Sequence, residues 1–326
     1  MRGIRAIDLF CGAGGSSWGA RSAGAEIVAG FDKWELAGQV YKDNFPDAHF
    51  YPGDLKEIDP RLLGKEIGKI NLILASPECT NHSPARGGRP RCEESRGTAF
   101  HVIRFAEAFA PRWIIIENVV SMTKWHRYKE LLGELEQLGW KHREMKLDAS
   151  HFGVPQARRR LYVVFDREME PPEVESSSVR SMNARDVINT DGLYPFSPLR
   201  AENRAKATLE RADRAIAQLG GAEPFLIVYY GSDHAGGWQA LDRPLRTITT
   251  LDRFAYVRPS PQGHVMRMLQ PEELKLAMSW PRHFRIRHGS RRDRIRMIGN
   301  AVCPKVMRTV VKRLISQSAI TRSTIP

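Results

Sequence analysis

Residues 4–15 read IRAIDLFCGAGG, an apolar run that leads directly into three closely spaced glycines. The run has the composition of a buried strand, and the glycines predict a tight turn before a helix. Such a turn lets the backbone approach a ligand closely, although it also occurs as a purely structural connection. The stretch therefore predicts the first strand–helix unit of an α/β fold, with a candidate ligand site at the turn.

The pattern repeats along the first half of the chain. Apolar runs follow at 25–32, 70–76, 113–119 and 161–166, and helical patterns lie between them at 34–45, 98–110 and 128–139. This alternation predicts a parallel sheet with helices on both faces. Ligands bind such sheets at the carboxyl ends of the strands, which is where the candidate residues below are expected.

After residue 166 the alternation stops. Residues 167–183 resemble a linker, and a charged helix over 201–221 and strands over 224–231 and 245–257 are predicted beyond it. An amphipathic helix over 304–317 is expected to pack back on the first domain. We therefore predict a catalytic domain over 1–168 completed by 296–326, a small domain over 169–262, and a hinge or return segment over 263–295.

Composition limits the class of protein. The 326 residues carry a net charge of +13, which suits a polyanionic partner but also fits a merely basic surface. Residues 282–296 hold seven arginines against one acid, and predict a strand-and-loop surface for phosphates. The four cysteines lack the spacing of a metal or disulfide framework. No membrane helix or signal peptide is recognisable, which favours a cytoplasmic protein.

Two residues at predicted strand ends are candidates for chemistry. Cys79 lies in ASPECTNHSPARGG (75–88), in a loop rich in Pro and Gly. A free cysteine is most often a small buried hydrophobe, but its place at a strand end suits a nucleophile. Glu117 follows the apolar residues WIII in the run WIIIENV, where burial would raise its pKa and suit it to acid–base catalysis. A satisfied core glutamate, or a helix cap at Asn118, is the alternative.

Further polar residues suggest ligand binding. Asp32 ends the second predicted strand and Asp54 follows in YPGDL; an acid about twenty residues after a Gly-rich turn commonly binds a ribose. Arg158 and Arg160, in VPQARRRLYVV (154–164), are predicted to share one side of a strand with Gln156. Two such arginines suit phosphate or carbonyl recognition, or form a simple basic strand edge.

Read in order, these elements resemble the C5-cytosine DNA methyltransferase family. DLFCGAGG is similar to its S-adenosylmethionine loop, SPEC to its Pro-Cys segment, and ENV (117–119) and Q-x-R-x-R (156–160) to two further motifs. SRGT (95–98), RPLRTIT (243–249) and GNAVCPKV (299–306) also fit the family pattern. Together they extend over nearly the whole chain.

The resemblance implies a Rossmann-like methyltransferase fold with a mixed sheet, helices on both faces and a smaller target-recognition domain. It implies methyl transfer from S-adenosylmethionine to C5 of a cytosine flipped out of double-stranded DNA, through a covalent bond between Cys79 and C6. Glu117 matches the acid at N3, and Arg158 and Arg160 match arginines around the base. Cofactor positions are matched by Phe10, Gly12, Gly14, Asp32 for the ribose, Asp54 for the adenine, and Asn300.

This chain departs from the family pattern beside the nucleophile. Glu78 and Thr80 flank Cys79 where Pro and Gln are usual, and we expect Glu78 to point away from the thiol, onto an arginine of the loop. Lys33 stands where a stacking aromatic is common, and Trp34 is expected to replace it. Methylation of an exocyclic amine, C5 methylation of RNA and a silent nucleic-acid binder remain alternatives. We expect a monomer without metal, with any cognate restriction endonuclease acting separately.

Overall fold

The computed structural model describes residues 3–78, 97–176, 181–230 and 236–323. Seven strands of the first part form one sheet. They are β1 (Ile4–Leu9), β2 (Ala25–Asp32), β3 (His49–Pro52), β4 (Leu72–Ala75), β5 (Trp113–Asn118), β6 (Lys141–Asp148) and β7 (Arg159–Asp166). Their order is β3-β2-β1-β4-β5-β7-β6, so the chain leaves β1 in one direction and returns on its other side at β4. A strand order that reverses in this way opens a ligand crevice beside the first strand.

Helices cover both faces of this sheet, as the alternation predicted. They are α1 (Gly15–Ser22), α2 (Glu35–Asn44), α3 (Pro60–Ile67), α4 (His101–Phe109) and α5 (Tyr128–Gln137). Side chains of α1 and α2 join one buried cluster with Ala6 and Ile27, and those of α4 and α5 join the opposite cluster with Ile7 and Ile73. Successive residues of a strand therefore point into the two cores in turn, as expected for a sheet that is buried on both faces.

The sheet is mixed rather than wholly parallel. Strands β1 to β5 pair in parallel, but β7 runs antiparallel to both β5 and β6. The short connection between β6 and β7 can join only antiparallel neighbours, because a parallel crossover needs a dozen or more residues. As a result the amino end of β7 reaches the edge where β4 and β5 end. The mixed sheet implied by the family resemblance is confirmed.

A second, smaller sheet is antiparallel throughout. It comprises β8 (Ser197–Pro198), β9 (Phe225–Val228), β10 (Trp238–Ala240), β11 (Phe254–Ser260) and β12 (Gly263–Met268) in the order β10-β9-β11-β12-β8, with α6 (Lys206–Leu219) packed against it. The predicted strand over 245–257 begins only at Phe254. Because β11 and β12 form one hairpin, we propose that the small domain extends to Met268 rather than ending at 262.

Three helices complete the chain: α7 (Pro271–Ala277), α8 (Arg291–Asn300) and α9 (Pro304–Ser323). Helix α9 packs back on α1 as predicted, so closely that a Cβ on Gly19 would lie 2.6 Å from Met307 Cβ. The predicted strand-and-loop character of 282–296 is wrong from Arg291 onward, because Ser290 and Asp293 form a capping box that starts α8. In the described part of the chain, no helix is long and apolar enough to cross a membrane.

Candidate active site

One cavity lies at the reversal point between β1 and β4, and it brings together most of the predicted site residues. Among those lining it are Phe10, Gly12, Asp32, Asp54, Glu117, Arg158, Arg160 and Asn300. Gly14 is not in the lining. Cys79 lies outside the described residues, but Pro77 and Glu78, which precede it, line the same cavity. These positions are separated by up to 290 residues in sequence and share one site because their strands end at one edge.

The Gly-rich turn has a left-handed backbone at Phe10, Gly12 and Gly14, with φ of 59°, 51° and 92°. A Cβ on Gly14 would lie 2.4 Å from the Phe45 ring, so this glycine serves packing behind the turn. A Cβ on Gly12 would meet no atom within 4 Å, and Gly12 lines the cavity. A side chain at Gly12 would therefore occupy space that a ligand could use. This open cradle beside a helix start fits a nucleotide-like cofactor such as S-adenosylmethionine.

Asp32 ties the end of β2 to the Gly-rich turn. Its Oδ2 accepts the N–H of Gly12 at 2.8 Å, and its Oδ1 accepts the N–H of Trp34 at 2.8 Å. Burial raises the pKa of Asp32, and these two hydrogen bonds oppose the rise. Each carboxylate oxygen has a further lone pair, so the group can hold the turn and still accept a hydrogen bond from a ribose hydroxyl.

Asp8 supports the same turn from beneath. Its Oδ2 accepts the N–H of Ser17 at 3.0 Å and the hydroxyl of Ser17 at 2.6 Å, while the Ser17 hydroxyl lies 2.9 Å from the Tyr41 hydroxyl. Among the described residues no hydrogen-bond partner reaches Asp8 Oδ1. Burial raises the pKa of Asp8 from its ordinary 3.8 to about 7. Between about pH 4 and pH 7, Asp8 therefore binds a proton more strongly in the folded protein than in the unfolded chain.

Asp8→Asn is expected to change how stability depends on pH. Because the pKa is raised on folding, the contribution of Asp8 is fully present below about pH 4 and is lost as the pH rises through about 7. Urea unfolding of both proteins from pH 4 to 7.5 measures this. The stability of the native protein should fall relative to the variant across that range. Parallel pH profiles would show that Asp8 has an ordinary pKa in the folded protein.

Gly15, the first residue of α1, is pressed against the loop before α9. A Cβ on Gly15 would lie 2.3 Å from the carbonyl oxygen of Val302, a backbone atom that cannot rotate away. The turn and the Asn300–Val302 segment are thereby locked together on one wall of the cavity. Gly299 makes a similar approach, since its Cβ would lie 2.2 Å from the carbonyl oxygen of Thr249.

Gly15→Ala is therefore expected to destabilise the protein by about 1–3 kcal/mol, as overpacking does, and to weaken cofactor binding. Gly133→Ala is the matched control, since Gly133 is also helical and its Cβ would meet nothing within 4 Å. That change should be neutral or stabilising by up to ~1 kcal/mol. Thermal unfolding of the two variants compares them, and equal melting temperatures would contradict the close-approach argument.

Glu117 is the buried acid of the site. It is 6% exposed at the carboxyl half of β5, and its Oε1 lies 3.5 Å from Arg160 Nε without hydrogen-bond geometry. Burial raises the pKa of Glu117, while Arg160 and Arg158 oppose the rise. Its neighbour Asn118 accepts the N–H of Val119 and donates to the carbonyl of Pro77 at 3.1 Å. Glu117 therefore lines the cavity with a carboxylate oxygen, Oε1, that accepts no hydrogen bond from the described residues, and Asn118 holds the chain at Pro77.

The two arginines do not share one role. Arg158 precedes β7 rather than lying within it, and its guanidinium donates to the carbonyl oxygens of Ile248 at 3.1 Å, Gly299 at 3.0 Å and Ala301 at 3.0 Å. It therefore joins the RPLRTIT and GNAV segments. Arg160 is the arginine that faces Glu117. Both arginines were predicted to share one side of a strand with Gln156. This holds only in part, because the Gln156 side chain is turned inward onto Ala277 and Met278.

Sequence reasoning missed several contacts of this site. Ser76 donates from its hydroxyl to the carbonyl of Phe10 at 3.1 Å, and Lys33 forms an ion pair with Glu78. The Arg296 guanidinium lies 4.5 Å from the centre of the Trp34 ring, which lines the cavity. Lys33, Glu78 and Trp34 were singled out in the sequence, although the partner expected for Glu78 was an arginine of the loop and not Lys33. The others depend on distant segments meeting at the sheet edge.

The fold and the site define a Rossmann-like α/β protein whose Gly-rich turn and buried acid line one cavity. The model of the C-5 cytosine-specific DNA methylase family matches residues 4–316, and the chain belongs to this family. The class of enzyme is therefore DNA (cytosine-5) methyltransferase.

Two curated relatives and one solved structure illustrate the likeness. The type II methyltransferase M.HgiDI of Herpetosiphon aurantiacus is 29% identical over 313 residues, which cover 92% of this chain and 90% of the relative. M.AgeI of Thalassovita gelatinovora is 31% identical over 181 residues, which cover 52% of this chain and 42% of the relative. The Entamoeba histolytica methyltransferase EhMeth has a TM-score of 0.73 at 15% identity, covering 98% of this chain and 99% of that chain, which shows the shared fold.

Proposed function

We propose that this enzyme transfers a methyl group from S-adenosylmethionine to C5 of a cytosine flipped out of double-stranded DNA, through a covalent bond between Cys79 and cytosine C6. The observation that carries the proposal is the single cavity that joins the open cradle at Gly12 to the buried pair Glu117 and Arg160. The end at Gly12 suits the cofactor, and the end at Glu117 and Arg160 suits a polar ring. Such a cavity places a methyl donor and a base within reach of each other.

The chemistry explains why these residue types are needed. Carbon C5 of cytosine is a poor nucleophile until a thiolate adds to C6 and makes the ring enamine-like. A free thiol has a pKa of about 8.5, and cationic neighbours favour the thiolate. Glu117, whose pKa is raised by burial, is suited to share a proton with cytosine N3 as charge develops on the ring.

Release of the product follows from the same atoms. The cofactor, when bound, would supply an electrophilic methyl group for C5 and would keep the electron pair of the broken S–C bond as a neutral thioether. The C5 proton then leaves to a base, and the electron pair of the C5–H bond reforms the C5–C6 double bond as Cys79 departs as a thiolate. The ring regains its aromatic character and the thiol is restored for another turnover.

The bound base must leave the helix, because C6 is inaccessible in a stacked duplex; unstacking costs a few kcal/mol.

We propose that the small antiparallel sheet reads the target sequence and that exposed arginines of 282–296 contact phosphates. Arg287 and Arg292 of this segment are exposed, and the net charge of +13 favours association with DNA. We propose a monomer, with any cognate restriction endonuclease acting separately.

The proposal is tested on DNA from a host that expresses the protein. Nucleoside mass spectrometry should detect 5-methylcytosine, and bisulfite sequencing should place it in one short recurring sequence. The Cys79→Ser variant should leave the DNA unmodified. Detection of N4-methylcytosine or N6-methyladenine instead, with activity retained by Cys79→Ser, would show that an exocyclic amine is the target. Modified transcripts and unmodified DNA would show that RNA is the substrate.

A further inference from the structure

Two residues that depart from the family pattern contact each other. Lys33 follows the end of β2 and Glu78 lies three residues beyond the end of β4, and the Lys33 ammonium forms an ion pair with the Glu78 carboxylate. Strands β2 and β4 lie on opposite sides of β1, so their ends are about 10 Å apart. The pair therefore spans the Gly-rich turn that follows β1, and both residues line the cavity.

We propose that Lys33 and Glu78 form a charge clasp that positions the chain entering the nucleophile segment over the cofactor turn. This inference rests on the proposed function, because the segment it positions is the one that carries Cys79. Side-chain hydrogen bonds also hold the same segment: the Ser76 hydroxyl donates to the carbonyl of Phe10, and the Asn118 amide donates to the carbonyl of Pro77. The clasp fixes the next residue, Glu78, and directs its carboxylate toward the β2 side of the cavity.

The clasp also has an electrostatic role. Glu78 stands beside Asp32, and its charge acts to raise the pKa of Asp32 while the Lys33 charge acts to lower it. Lys33 thus offsets a second carboxylate at the place where the cofactor is held. The Lys33 and Glu78 side chains are 58% and 31% exposed, so the pair contributes little to folding stability. Its effect is expected in turnover and cofactor binding rather than in thermal unfolding.

A double charge reversal tests the clasp. Lys33→Glu and Glu78→Lys should each lower the methyl-transfer rate at saturating cofactor, and each should weaken S-adenosylmethionine binding, by about fivefold to twentyfold. The double variant Lys33→Glu/Glu78→Lys should recover to within about threefold of the native protein, because the pair is restored with its charges exchanged. The unfolding temperatures of all four proteins should agree closely.

The matched control is Glu26→Lys. Glu26 pairs with Arg5 at 3.7 Å at the opposite end of β2 and β1, far from the cavity edge. This reversal should leave both the rate and the binding unchanged. If the effects of the two clasp reversals simply multiply in the double variant, Lys33 and Glu78 act independently and the clasp is overturned.

Failure of the proposed function is distinguishable from failure of the clasp. If the native protein transfers no methyl group, the proposed function fails, and the same four proteins are compared by calorimetric binding of S-adenosylmethionine and by the alkylation rate of Cys79. Recovery of both quantities in the double variant supports the clasp. Multiplied losses overturn it.

Discussion

Glu117→Gln is expected to lower the rate of methyl transfer by about 10²–10³-fold while leaving the fold intact. Glutamine has the same shape, but its amide cannot exchange a proton with cytosine N3, as a carboxyl group can. The side chain is buried at the cavity, so solvent cannot easily replace it. Single-turnover assays at saturating DNA and cofactor measure the chemical step separately from binding.

Glu144→Gln is the control for this prediction. Glu144 is an exposed carboxylate on β6 of the same sheet, and it accepts a hydrogen bond from the Tyr128 hydroxyl that glutamine can also accept. Its replacement should leave the rate within about twofold of the native value. If Glu117→Gln also retained near-native rates, Glu117 would have no part in the chemistry.

Arg158→Met is expected to lower the free energy of unfolding by about 3–5 kcal/mol. The guanidinium is 3% exposed and supplies donors to three carbonyl oxygens, which would be left buried without them. Arg158→Lys should recover only part of the loss, because an ammonium on a flexible stem cannot match the planar geometry. Urea unfolding gives the free energies directly.

Arg159→Met is the matched control, since the next residue in sequence is also an arginine but is exposed. Its effect should lie within about 0.5 kcal/mol of zero. Equal losses for Arg158→Met and Arg159→Met would contradict the view that Arg158 joins the motif segments. A stable but inactive Arg158→Met would instead make Arg158 a residue of the reaction.

The sequence predicted the sheet well where local pattern decides it. The apolar runs at 4–10, 25–32 and 113–119 correspond to β1, β2 and β5 because each strand is buried on both faces and needs continuous apolar residues. Strand β6, KHREMKLD, went unpredicted because it is an edge strand with charged residues on its open side. Strand β3 has only four residues and gives no periodic signal.

The residues of the site likewise fall into those that the sequence reveals and those whose contacts it does not reveal. Asp32, Glu117 and the Gly-rich turn are visible in sequence because a polar or glycine residue directly follows or ends an apolar run. The bonds from Arg158 to residues 90 to 143 positions away have no local signature. The contact between Lys33 and Glu78 is equally invisible, since it depends on β2 and β4 flanking β1. Sequence motifs thus identify residues that line the cavity, whereas the contacts that hold those residues in place depend on the order of the strands.

The most direct test of the central claim is trapping on DNA that contains 5-fluorocytosine in the methylated sequence. Fluorine at C5 cannot leave as the proton does, so elimination is blocked and the bond between Cys79 and C6 persists. We predict a cofactor-dependent, denaturation-resistant complex with the DNA, with the modified peptide containing Cys79, and none with the Cys79→Ser variant. Methylation of the unfluorinated DNA without any trapped complex on the fluorinated DNA would contradict covalent catalysis by Cys79.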